Sequence, residues 1–137
     1  MNSVLNSNIE DIRELKRILF DLRLKYDTID NEDLKADIKA IIQIGDKLYS
    51  ELILDNRKTA AAYRFIHNYL PVVDRIVDKY NKLVEKDIKS RDSVDLKEEI
   101  RNSMPKIKES LKTYYESMFT AEILDIDVDL EVLLKQL

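Results

Sequence analysis

An all-α protein is predicted by three observations. The 137 residues include one glycine and two prolines, Leu, Ile, Lys, Glu and Asp are abundant, and apolar residues recur at steps of three and four almost throughout. Turns consume Gly and Pro, so a chain nearly without them has few turns and long elements. The apolar spacing marks one face of an α-helix in segment after segment. The expected architecture is an elongated antiparallel helical bundle or coiled coil, residues 1–137 forming a single domain. It would have about four long helices and a short C-terminal helix.

The first helix carries Ile12, Leu15, Leu19, Leu22, Tyr26 and Ile29 on one face, within an amphipathic N-terminal part, residues 1–40. "DTIDNED" interrupts it, and Asp30 or Asn31 suits the N-cap of the second helix. That helix repeats the pattern at Leu34, Ile38, Ile41, Gly45, Leu48 and Leu52, with the chain's lone glycine on the seam. Glycine inside a helix costs about 1 kcal/mol relative to alanine, so close approach of a facing helix is the expected reason. "LDNRKT" is the next connection, with Asp55 or Asn56 as cap. The third helix, from about Arg57 to Ile88, presents Ala62, Phe65, Tyr69, Val72 and Ile76, then Tyr80, Leu83 and Val84 after a stutter. "KSRDSVD" is a polar turn with Asp92 or Ser93 as cap. The fourth helix carries Ile100, Met104, Ile107, Leu111, Tyr114, Met118 and Ala121. "DIDVDLEVLLKQL" closes the chain as a short helix capped by Asp127 or Asp129, its apolar side being Leu130, Leu133, Leu134 and Leu137.

Proline cannot donate an amide hydrogen, and its ring presses on the carbonyl four residues back. Pro71 would free the carbonyl of His67, and Pro105 that of Arg101. The stripes on either side are continuous, so kinks rather than breaks are expected at both.

Charge bounds the partners. The 23 Lys and Arg are interspersed with 27 Asp and Glu for a net −4, unlike the one-signed basic face of a nucleic-acid binder. Without cysteine there are no disulfides, thiolate nucleophiles or thiolate metal sites, which fits a reducing cytosol. No apolar run reaches the roughly 20 residues of a membrane span, and the start has no basic and hydrophobic leader. A cytoplasmic protein is expected, membrane-associated if this chain is part of a longer one.

The stretch "FIHNYLPVVDRIVDKYNKLVEKDI" resembles the central signature of the XpaC family, the bromo-chloro-indolyl phosphate hydrolysis proteins of Gram-positive bacteria. The residues that carry it are Tyr69, Leu70, Pro71, Tyr80 and Leu83. "LKEEIRNSMPKIKESLKTYYESMF" and the acidic, Leu-rich end extend the similarity over roughly residues 41–137. Family members commonly have a hydrophobic N-terminal region that this chain lacks. The resemblance implies hydrolysis of a chromogenic phosphate ester and a link to TelA-like toxic-anion resistance proteins.

Phosphate-ester hydrolysis needs an activated nucleophile and stabilised charge on the phosphoryl group. The candidates here are few. His67 has Tyr63, Arg64, Leu70 and Pro71 as its helical neighbours and no carboxylate among them, so packing is the expected role and catalysis the alternative. Asp125, Asp127 and Asp129 with Glu131 start like a calcium loop. Leu130 then replaces the required glycine and Gln136 the bidentate glutamate. Acids at a helix start have an ordinary electrostatic reason, so no metal is expected, with weakly held Mg²⁺ or Ca²⁺ as the alternative. The leading expectation is a non-enzymatic scaffold or adaptor that binds a helical partner, TelA-like by the resemblance, with self-association as a further route. The alternative is a metal-assisted phosphomonoesterase.

Overall fold

The structure is a computed structural model that describes residues 2–137. All its regular elements are helical: α1 (Asn2–Tyr26), α2 (Glu32–Leu54), a 3₁₀ turn (Asn56–Lys58), α3 (Thr59–Arg64), a π-helical turn (Phe65–Tyr69), α4 (Leu70–Glu85), α5 (Arg91–Ser117) and α6 (Thr120–Gln136). From Thr59 to Glu85 the helical run is uninterrupted.

Local chemistry sets the boundaries. Asn31 accepts from the Leu34 amide at 2.9 Å and starts α2, and Asp55 accepts from the Arg57 amide at 3.1 Å and starts the third run. Helix α4 stops at Glu85, ahead of the expected Ile88, because Asp87 takes a left-handed φ of 51°. Its amide bonds Val84 O and that of Ile88 bonds Leu83 O, a Schellman-type ending with aspartate in glycine's usual place. Ser90, rather than Asp92 or Ser93, caps α5 by accepting from the Ser93 amide at 3.2 Å. Helix α6 begins at Thr120 without a side-chain cap, earlier than Asp127 or Asp129. The residues between, Ala121–Leu124, contain no helix breaker.

Helices that follow one another in sequence run antiparallel, while two of the packed pairs run in like directions. Leu19 lies against Gly45 and Lys35 over the Tyr26 ring, so α1 and α2 form an antiparallel hairpin. Tyr69 meets Tyr114 and Tyr80 meets Arg101, so the third run and α5 form a second one. The hairpins then pack with like directions side by side. Asn8 reaches Asn56, Asp11 reaches His67 and Lys25 reaches Asp74, in rising order along both helices. Asp37 pairs with Lys108 between α2 and α5. The α2–α3 connection therefore crosses the diagonal of the bundle.

A common core runs through all four long helical stretches, including Leu15, Ile38, Phe65, Leu70, Tyr80 and Met104, each fully buried. In the third run the core stripe is Ala62, Phe65, Ile66, Leu70, Val73, Val77 and Tyr80. The expected stripe continued from Phe65 through Tyr69, Val72 and Ile76 instead. The π turn explains the difference. Its Leu70 amide bonds Phe65 O, five residues back, and the extra residue rotates everything downstream by about 100°. The turn lies just ahead of Pro71, and α5 runs through Pro105 without interruption.

Helix α6 stands apart. Every residue from Thr120 to Leu137 is exposed. Lys58 holds its start, 2.7 Å from Glu122 and 4.9 Å above the Phe119 ring. From Ile123 onward its apolar residues occupy two sides. Ile123, Ile126, Leu130, Leu133 and Leu137 follow a three–four seam, while Leu124, Val128 and Val132 step by four across from it.

Candidate functional site

The π turn creates two candidate features at once. On its inner side His67 points at α1, where Nε2 lies 2.7 Å from Asp11 Oδ1. The imidazole is 29% exposed and the carboxylate 16%. The Tyr63 ring packs on the histidine at 4.4 Å between centroids. One turn along α1, Arg17 grips Glu14 and Asp21. Its hydrogen bond holds the Glu14 carboxyl below the ordinary carboxylate range. His67 thus has the orienting carboxylate that its own helix could not supply. The partner is 56 residues away, beyond any search of helical neighbours. One signal was present: Asp11 continues the Leu15, Ile18, Leu22 stripe backwards by one turn, a polar residue in a core register.

The outer side of the turn opens a groove between α4 and α5 with a volume of about 910 Å³. Tyr69, Val72 and Ile76 form one wall, Ile107, Leu111 and Tyr114 the other. Asp95, Glu98 and Glu99 line one end, and Lys106 sits midway. Val72, in the first wall, is 42% exposed, although the sequence pattern puts it in the core. Tyr69 and Tyr114 meet edge-on at 5.4 Å, and the Tyr114 hydroxyl donates to Ala61 O at 2.6 Å. Neither His67 nor Asp11 lines this groove.

The remaining predicted residues are distributed as follows. Leu70 is in the core, Pro71 and Leu83 are half-buried, and Tyr69 faces the groove. Tyr80 is fully buried except for its reach outward: its hydroxyl donates to Asp30 Oδ1 at 2.8 Å and accepts from Arg101 at 3.2 Å. Beside it, Asn81 donates to Lys25 O and to Thr28 Oγ1. Together they fasten the α1–α2 connection to the second hairpin. Asp125, Asp127, Asp129 and Glu131 are strung along exposed α6. Asp125 and Asp129 share one side and Asp127 and Glu131 another, as spacings of four dictate. Among the described residues no three carboxylate or imidazole side chains gather to hold an ion. The acids of α6 stand on two sides of the helix and do not converge on one point.

Burial raises the Tyr80 phenol above its ordinary value, with Arg101 opposing and Asp30 reinforcing the shift. Burial raises Tyr114 and Tyr115 too. A raised phenol favours the folded state while protonated, so that contribution holds below pH ~10 and is lost as pH climbs further. Tyr80→Phe is expected to cost about 1–2 kcal/mol at neutral pH. It should also soften the alkaline loss of stability, both read from urea midpoints across pH 7–11.

No curated protein and no solved structure matches the chain. The sequence profile of a family described as 5-bromo-4-chloroindolyl phosphate hydrolysis protein matches residues 8–133. The match starts well before Ile41 and takes in both α1 and α2, so the first hairpin is as much a part of the family pattern as the Tyr69–Leu83 stretch. With nearly its whole length matched, the chain belongs to the 5-bromo-4-chloroindolyl phosphate hydrolysis protein family.

Proposed function

We propose that this chain is a non-enzymatic helical scaffold whose α4–α5 groove receives an amphipathic helix of a partner protein. The observation that carries the reading is the groove itself, two apolar helix walls left open along their length. Such a trough suits the apolar side of a third helix, which would anchor through side chains one turn apart. The acids Asp95, Glu98 and Glu99 favour a partner with basic residues at that end. A TelA-like protein at the cytoplasmic side of the envelope is the partner we favour. No helix among the described residues is long and apolar enough to cross a membrane.

The test is fluorescence anisotropy with labelled peptides spanning the amphipathic helices of a TelA-like protein. Val72→Arg, in the groove wall, should weaken binding by about tenfold or more. Binding unchanged by Val72→Arg, or no binding by any such peptide, would remove the reading.

A second reading, phosphomonoester hydrolysis, has one observation in its favour: the imidazole of His67 oriented by Asp11. That pair could act as general base toward a water molecule. Purified protein is expected to show no turnover of 5-bromo-4-chloroindolyl phosphate above buffer. Turnover abolished by His67→Gln would replace the scaffold reading with this one.

A further inference from the structure

We propose that the α4–α5 groove is filled by helix α6 of a second copy, and reciprocally, giving a closed two-fold dimer that must open before a partner helix can enter. The inference rests on the reading of the groove as a helix-receiving site and adds its resident occupant. Three observations carry it.

The first is that both surfaces are uncovered and equal in length. Helix α6 has 17 residues, about 25 Å at 1.5 Å per residue. The groove extends along α5 from Asp95 to Tyr114, about 28 Å on the same rise. The seam Ile123, Ile126, Leu130, Leu133 and Leu137 is a three–four stripe of the kind such a trough accepts.

The second concerns which copy's α6 can reach. Tyr114 lines the groove, whereas its neighbour Tyr115 lies on the α2 side of α5 with Ile44 and Lys47. Phe119 packs edge-on against Tyr115 at 5.1 Å, and Lys58 pins Glu122. Helix α6 therefore leaves the bundle on the flank of α5 away from the groove. The connection is only Met118 and Phe119, too short to carry the helix over α5 while those contacts hold. A second copy has no such restriction.

The third is charge. Arg75 and Lys79 are exposed on α4, one turn on from Val72 and Ile76, and Lys106 lines the groove from α5. With its seam in the groove and its direction parallel to α4, α6 presents Asp127 and Glu131 to Arg75 and Lys79 at matching spacings of four. Asp129, on the other side of the helix, then faces Lys106. The opposite direction would turn Asp127 and Glu131 away from α4 and its Arg75 and Lys79, so charge selects one orientation.

The experiment is analytical ultracentrifugation of the full chain over a broad concentration range. The wild type should dimerise. Leu130→Arg with Leu133→Arg, on exposed α6, and Val72→Arg, in the groove, should each weaken dimerisation by about tenfold or more. Asp127→Lys with Glu131→Lys should do the same, and adding Arg75→Glu with Lys79→Glu should restore the dimer. Circular dichroism of each variant confirms the fold, since every substituted side chain is exposed. A wild type that stays monomeric at millimolar concentration overturns the proposal. So does a dimer lost on changing α6 but indifferent to Val72→Arg, which would mean α6 pairs with α6. A monomer that still takes a partner peptide would end the dimer and leave the adaptor reading standing. A dimer that no peptide opens would do the reverse.

Discussion

Phe65→Ala is expected to remove about 3–5 kcal/mol of stability, the loss typical of a fully buried aromatic ring. Tyr69→Ala, one turn on, should cost about 1 kcal/mol or less, since Tyr69 is 38% exposed. In an unbroken α-helix the two positions would share one face and carry similar weight. The π turn separates them, sending Phe65 into the core and Tyr69 to the groove. Urea denaturation of both variants tests this directly. Equal losses would mean that the third helical run keeps ordinary α register and that the groove wall is core.

The second large effect is expected at Gly45. A β-carbon there would overlap Leu19 Cδ2 and lie 3.4 Å from Leu19 Cδ1 and Cγ. Leu19 is itself 2% exposed and has little freedom to turn away. Gly45→Val should destabilise by about 2–3 kcal/mol, the range for overfilling a packed core. Gly45→Ala places the same β-carbon against Leu19 and should also destabilise, by less, because removing glycine from a helix interior returns about 1 kcal/mol and no further methyls are added. In the double variant Gly45→Val with Leu19→Ala the two losses should be strongly non-additive. Simple addition would show that the α1–α2 approach is looser than the structure has it.

The fold was legible in the sequence because helical periodicity is a local signal. The stripes of α1, α2 and α5 predicted the buried residues well: Leu15, Leu22, Ile38, Leu48, Met104 and Leu111 all lie in the core. Gly45 on a seam predicted a close helix approach, and Leu19 supplies it. The third run misled for a physical reason. A π turn is one residue of slack, and a continuous three–four stripe through Phe65, Tyr69, Val72 and Ile76 conceals it. The competing stripe, Ile66, Leu70, Val73 and Val77, was equally apolar, and the stutter near Pro71 was its only trace. The groove followed from the same misphasing. Residues assigned to the core are its walls.

The His67–Asp11 pair was hidden by distance along the chain. Both residues sit on helices whose mutual register depends on how the two hairpins dock, a tertiary fact without a short-range signature. The direction of docking was equally unreadable. Short connections require neighbours in sequence to run antiparallel. They leave open whether the second hairpin lies with α4 or α5 against α1. What covers α6 belongs to the same category, since all its residues are exposed and Lys58 holds only its start.

The two-sided distribution of apolar residues on α6 has a consequence for the chain before it folds. From Leu124 to Leu134 apolar residues occupy every second position, with Asp125, Asp127, Asp129 and Glu131 among those between. As a helix this arrangement divides the apolar residues between two faces. Stretched out, it sorts them onto one face and the carboxylates onto the other, the pattern of an aggregation-prone edge strand. Four like charges at strand spacing would face one another whenever two such segments paired in register, and that repulsion guards nascent chains against fibre formation. In that extended state the four acids act as gatekeepers.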